Sequence, residues 1–341
     1  MFFFKRLTAT FTAILTILLN FLGITNPFVQ PVKDFKVVSY VVADRVHDMD
    51  SLCSEDFDII TDVILFGCAT FDKEGNVTVK KDILEPALQN LKTVIGKRDI
   101  TITLNFLGPQ YSGDLTDWYE QMAVQAVDHT AAFNSGVLED NIIAVLDEYG
   151  FDGVYFDYEY PIELDAWHNF NKFLVSLDSK LGKKLLGIAV ADWDIKLSTA
   201  AVEAVDYFEL MVYDVYDDIG RHSTFETSTE LSQNAGLYGL PLEKVHFGLP
   251  FYARPTDHGA YWYEYKGYYD KLDENSFYTD EALGKTFWFN TPDVIEQKTA
   301  YAIENGFGGV MVWHYSCDLP STHPQSLLAA IARATENTAE N

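Results

Sequence analysis

Phe151-Asp152-Gly153-Val154-Tyr155-Phe156-Asp157-Tyr158-Glu159-Tyr160-Pro161 reads as a short apolar strand that runs out into acidic and aromatic residues. Side chains alternate along a strand, so Tyr155, Asp157 and Glu159 share one face while Val154, Phe156 and Tyr158 share the other. Seven similar runs flank this one: Phe35 to Val42, Asp62 to Ala69 and Ile100 to Phe106 before it, then Leu185 to Val190, Tyr207 to Tyr213, Val245 to Pro250 and Phe307 to Trp313. Helical periodicity fills most of the gaps, at Ile83 to Ile95, Asn141 to Tyr149, Ala166 to Leu181, Thr229 to Tyr238, Val294 to Asn305 and Leu327 to Thr335. Eight such alternations predict an α/β fold, a (β/α)8 TIM barrel, with its chemistry where the strands end at their C-terminal side. A doubly wound open sheet is the structural rival, but no glycine-rich phosphate turn follows the first strand.

One catalytic domain over residues 34–336 is expected, with a short insertion after the seventh strand. That insertion, Pro255 to Phe289, holds Tyr261, Trp262, Tyr263, Tyr265, Tyr268 and Tyr269. Such rings either wall a groove or pack into a local hairpin.

The 341 residues carry 51 acidic and 24 basic side chains, a formal net charge of −27. A surface this negative repels phosphate backbones and anionic headgroups, which argues against nucleic acid and lipid surfaces as partners. With 48% hydrophobic and 22% charged residues, the chain belongs with packed globular proteins rather than disordered acidic tails. The N-terminus is a separate object. Lys5-Arg6 precedes an uncharged stretch from Leu7 to Val32 that is densest at Ala13 to Leu19, the pattern of a secretory signal or an uncleaved anchor over residues 1–31. Either version puts the catalytic domain outside the cell. Cys53, Cys68 and Cys317 are too few for a disulfide scaffold, and the eight histidines hold no metal-binding pair, so no metal or cofactor is expected.

Asp157 and Glu159 on one strand face place two carboxylates inside the barrel mouth. Like charges that close do not both ionise easily, so the outer acid is expected to have a raised pKa suited to proton donation. Solvated strand-end caps are the bland alternative.

The segment Asp152-Gly153-Val154-Tyr155-Phe156-Asp157-Tyr158-Glu159-Tyr160-Pro161 resembles the fourth-strand signature of family 18 glycoside hydrolases, the chitinases and related N-acetylglucosaminidases. Further matches follow in order: Val205 to Asp214 resembles the sixth strand, Lys244 to Arg254 the seventh and Gly308 to Trp313 the eighth. The resemblance implies a retaining, substrate-assisted mechanism, an exception to the two-carboxylate scheme of most glycosidases. It makes Glu159 the proton donor, Asp157 the acceptor of the acetamido N–H, Tyr213 the donor to the acetamido oxygen and Asp214 its neighbour on the same arm. Trp313 becomes the floor under the sugar. Met211, Tyr155, Tyr40, Phe66, Tyr252 and Arg254 complete the expected sugar-binding set.

The substrate implied is a polymer or oligomer of β-linked N-acetylglucosamine. An endoglycosidase of N-glycan cores, a hydrolase of cell-wall glycan and a silent lectin-like relative remain as alternatives, and the presence of Glu159 argues against the last.

Two departures from the family pattern fall in one pocket. Tyr155 stands where the family usually has Asp, and Leu104-Asn105-Phe106-Leu107-Gly108 stands where it usually has Ser-x-Gly-Gly. A phenol at 155 is expected to donate to Asp157, keep it ionised and leave it nearer Glu159.

Overall fold

The structure, a computed structural model, describes residues 34–339. The expected leader lies outside the described residues. Eight parallel strands form the barrel: β1 Lys36–Val42, β2 Asp62–Phe71, β3 Thr101–Leu107, β4 Gly153–Phe156, β5 Leu185–Ala191, β6 Tyr207–Met211, β7 Val245–Pro250 and β8 Gly309–Trp313. Each pairs with its neighbour in chain order. Pairing of β1 with β8, Lys36 opposite Gly309, closes the ring. That closure rules out the open sheet, because a doubly wound sheet leaves two free edges.

Packing follows from the alternation of side chains. Outward residues such as Phe156, Phe208 and Phe247 are buried between strands and helices, each contributing about 1.5–3 kcal/mol. Inward residues form a smaller cluster of Val38, Tyr40, Ile64, Tyr155 and Met311, so the lumen is filled rather than open.

The helices expected from periodicity are present with shifted ends, including Lys81–Ile95, Leu164–Leu181 and Pro292–Glu304. Thr229 to Tyr238 divides instead into Phe225–Ser232 and a single turn, Asn234–Leu237. Trp118–Phe133 is a helix that periodicity missed, since Tyr119, Val124 and Val127 are exposed and blur the apolar stripe. Its local signal was the cap: Asp117 accepts from the Glu120 amide at 2.9 Å.

After β7 the insertion builds two antiparallel pairs, Tyr252–Ala253 with Tyr263–Glu264 and Phe277–Asp280 with Lys285–Trp288. Tyr263 stacks on Tyr268 and on Phe287, with centroids 4.4 Å apart in both cases, so these rings hold the insertion together. Among the described residues no helix is long and apolar enough to cross a membrane.

Candidate active site

Asp157 and Glu159 leave the end of β4 and meet at the C-terminal mouth of the barrel, in a cleft of 280 Å³. Tyr40, Phe66, Met211, Tyr213, Asp214, Tyr252, Arg254 and Trp313 line the same cleft. Of the residues expected at the site, only Tyr155 lies below it. A larger cavity of 580 Å³ opens outside the barrel wall, beside Asp56 and Asp318. Both of those acids are already engaged, Asp56 by Tyr315 and Ser321 and Asp318 by Ser326 and two backbone amides. The smaller cleft is the one that holds two acids side by side at the strand ends, Asp157 and Glu159.

The two cleft carboxyls differ in depth. Glu159 is exposed, while Asp157 is half-buried with Oδ1 out of reach of solvent and without a protein partner. Burial, then the charge of Glu159 and a hydrogen bond with it, push the Asp157 pKa well above the ordinary carboxyl range. The sequence pointed to the outer acid for a raised affinity; the structure puts one on the inner acid. Asp157 thus holds its proton more tightly than an ordinary carboxyl.

Tyr155 corrects a second expectation. Its ring crosses over Gly187, where an added Cβ would lie 2.1 Å from Cε1, and its hydroxyl turns to Glu209 on β6. It does not donate to Asp157 and does not keep it ionised. Gly187 is paired directly with Tyr155 in the sheet, so the missing side chain is what lets the phenol lean sideways.

Trp313 meets Tyr40 and Phe66 edge-on at 5.2 and 4.9 Å, which fixes the indole at the cleft floor. Phe66 sits beside a β-bulge in β2 between Leu65 and Ala69. The peptide bonds Glu159–Tyr160 and Trp313–His314 are cis.

Asp214 is the hub of the opposite wall. Tyr252 donates its hydroxyl to Oδ1 at 2.6 Å, Arg254 donates to both oxygens at 2.6 Å, and His222 Nε2 lies 2.9 Å from Oδ1. Burial alone would raise the Asp214 pKa; the bonds from His222 and Arg254 override it and hold the carboxyl far below its usual range. Asp214 is therefore a fixed anion. Its backbone is left-handed, φ 60°, a conformation Asp tolerates better than most residues.

Tyr213 packs its ring against Gly248, where a Cβ would come within 2.9 Å of Cε1 and 2.5 Å of the Leu210 carbonyl oxygen. Burial raises the Tyr213 pKa well above its usual value, so its hydroxyl is a donor at any working pH. Replacing Gly248 by Ala is expected to destabilise the fold by about 1–3 kcal/mol and to displace Tyr213. Thermal unfolding checks this; an unchanged midpoint would show that the contact relaxes freely.

Sequence reading missed several supports. Gln125, on the unexpected helix Trp118–Phe133, donates to the Glu159 carbonyl at 2.9 Å. His129 on the same helix stacks on Tyr158 at 4.0 Å, and burial pulls its pKa down to about 4, so it packs as a neutral ring. Trp262, 38% exposed, lines the cleft from the insertion. Its cluster was visible in sequence, but not which ring would turn inward. His222 gave no signal, since a loop brings it back to Asp214. Glu209 was legible in principle, because alternation on β6 puts it on the face of Met211 and Tyr213.

Cys53, Cys68 and Cys317 are free thiols, and burial pushes Cys68 and Cys317 up to about 12. Among the described residues no group of three or more His, Cys, Asp or Glu could hold a metal ion.

Paired carboxyls at the mouth of a closed parallel barrel put the chain in the class of α/β-barrel proteins with an acid–base site. The chain belongs to glycosyl hydrolase family 18, whose model matches residues 36–318. Endochitinase 1 of Metarhizium anisopliae is 22% identical over 289 residues, covering 69% of this chain and 64% of the relative. The match thus spans just under two thirds of that protein's length.

The fold is similar to that of the GH18 chitinase ChiB from the chitin utilization locus of Flavobacterium johnsoniae, with a TM-score of 0.69 and 24% identity over 90% of this chain and 95% of that one. It is also similar to a class V chitinase from Nicotiana tobaccum solved in complex with NAG4, with a TM-score of 0.67 and 16% identity over 89% and 99% of the two chains.

Proposed function

We propose that this chain is a retaining glycosidase that hydrolyses β-1,4-linked N-acetylglucosamine, in chitin or chitooligosaccharides, through the substrate's own acetamido group. The observation that carries the reading is the meeting of Asp157 and Glu159 in one cleft that also offers a phenolic donor, Tyr213, and an indole, Trp313. Glu159, the more exposed acid, gives the proton to the glycosidic oxygen as the C1–O bond breaks. The acetamido carbonyl oxygen bonds to C1 on the opposite face, leaving an oxazolinium ion. Asp157, now ionised, accepts the acetamido N–H and balances the developing positive charge. Tyr213 donates to the acetamido oxygen. Water then attacks C1 with Glu159 as base, restoring the proton to the pair and the configuration at C1. Asp214 acts by holding Tyr252 and Arg254 in the wall.

Family membership, the chitinase relatives and the NAG4 complex of a similar fold support this substrate class. The charged and then apolar N-terminus supports export, either as a secreted protein or as an anchored one with its barrel outside the cell.

A panel of N-acetylchitotetraose, insoluble chitin, peptidoglycan and a high-mannose glycopeptide tests the reading. New reducing ends are expected from the first two. Cleavage of the glycopeptide or peptidoglycan alone would replace the substrate, and binding of the tetramer without cleavage would make the protein a lectin.

A further inference from the structure

The proton donor stands on a segment that the sheet no longer holds. β4 ends at Phe156, so Tyr158, Glu159 and Tyr160 lie beyond its last paired residue. The helix Trp118–Phe133 takes over there. His129 stacks flat on Tyr158, with centroids 4.0 Å apart and planes 4° off parallel. Gln125 donates from Nε2 to the Glu159 carbonyl oxygen at 2.9 Å, and Trp118 meets the Tyr160 ring with centroids 6.0 Å apart. At 3.6 residues per turn, positions 118, 125 and 129 fall within about 40° of one another, so one stripe of this helix touches three consecutive residues around the acid.

Gln125 is the polar member at the centre of that stripe. It is buried, and both ends of its carboxamide are used: while Nε2 serves Glu159, the oxygen accepts the Tyr111 amide at 3.2 Å. Tyr111 belongs to the loop between β3 and the helix, and Gln121 ties that loop to the helix by donating to the Leu115 carbonyl at 2.7 Å. An amide buried at this position needs both partners to offset its desolvation, which an apolar side chain of the same length would not. The Glu159 side chain, in contrast, is exposed. No packing fixes its carboxyl, so its place in the cleft depends on the backbone that carries it and on its bonds with Asp157 and Tyr160.

We propose that Gln125 is a positioning residue for the reaction: its amide fixes the Glu159 peptide, while His129 and Trp118 hold the residues on either side, so that the carboxyl reaches the glycosidic oxygen. The proposal rests on the hydrolase reading above. Tyr213 and Trp313, which would hold the sugar, stand at the ends of other strands and do not depend on this helix. Loss of Gln125 should therefore act on turnover and spare binding.

Gln125→Met keeps the length of the side chain and removes both hydrogen bonds. Its kcat on N-acetylchitotetraose is expected to fall about 10–100-fold, the cost of misplacing a catalytic group by up to about 1 Å, with KM within about twofold of wild type. Hydrogen exchange of the peptide over residues 157–161, followed by mass spectrometry, should quicken. Gln125→Glu is the conservative variant, and it serves if Gln125→Met does not fold. Burial favours its neutral form, whose hydroxyl donates to the Glu159 carbonyl and whose other oxygen accepts from Tyr111. The ratio of its kcat to that of wild type should thus rise as pH falls, a rescue that a merely structural role does not give. Val127→Gln, on the exposed face of the same helix, should leave kcat, KM and exchange unchanged. Wild-type kcat in a folded Gln125 variant, a rise in KM as large as the fall in kcat, or an equal effect from Val127→Gln would overturn the proposal. If the wild type cleaves no sugar while exchange over 157–161 still quickens in Gln125→Met, the hydrolase reading fails and the hold of Gln125 on this segment stands.

Discussion

Glu159→Gln is expected to lower kcat on N-acetylchitotetraose by about 10²–10⁴-fold, the range for loss of a positioned general acid. KM, or Kd measured by calorimetry, should stay within a few-fold of wild type, because the amide keeps the shape and the cleft walls are untouched. Glu159 is exposed, and glutamine keeps a polar end for its neighbours Asp157 and Tyr160, so the unfolding midpoint should hold. Residual activity within tenfold of wild type would place the proton donor elsewhere. Tyr160, the nearest other candidate, has a phenol that burial and the charge of Glu159 hold far above any working pH, which disqualifies it as a reversible acid.

Asp157→Asn is expected to separate activity from stability. Turnover should fall by about 10²–10³-fold, as for loss of one group that stabilises charge in the transition state. Stability at pH 7 should rise. The folded state binds a proton on Asp157 more tightly than the unfolded chain does, so ionising it penalises the fold as pH climbs from the unfolded carboxyl value, about 3.9, towards the higher folded one. Asparagine removes that penalty and should raise the melting midpoint. The gain should vanish near pH 3, where wild-type Asp157 is protonated in both states. A lower midpoint at pH 7 would mean that the Asp157 anion is stabilised in the fold, the reverse of what its burial beside Glu159 implies.

The barrel was legible because each strand carries its own apolar run and each inward face could be counted by alternation. Asp157, Glu159, Tyr213 and Trp313 all lie at strand ends, where that counting still works, and all four line the cleft. What failed was direction. Tyr155 was assigned to the correct face but the wrong partner, because its neighbour on the next strand is Gly187 and a ring can cross a glycine. Neither residue reveals that alone. The cross-strand pair of Glu209 and His246 was hidden for a similar reason, since 37 positions separate them and their meeting depends on the register of β6 against β7. The helix holding Gln125 escaped because its outer face is as apolar as its inner one, while its acidic cap was readable.

The most direct measurement of the mechanism follows the first product by proton NMR, using N-acetylchitotetraose and its fully deacetylated counterpart. A substrate-assisted reaction gives the β-anomer first, with the α-form growing in by mutarotation, and leaves the deacetylated tetramer intact because it lacks the attacking carbonyl oxygen. An α-anomer as first product, or cleavage of both tetramers at similar rates, would contradict a reaction in which the acetamido arm attacks C1 while Asp157 and Tyr213 hold it.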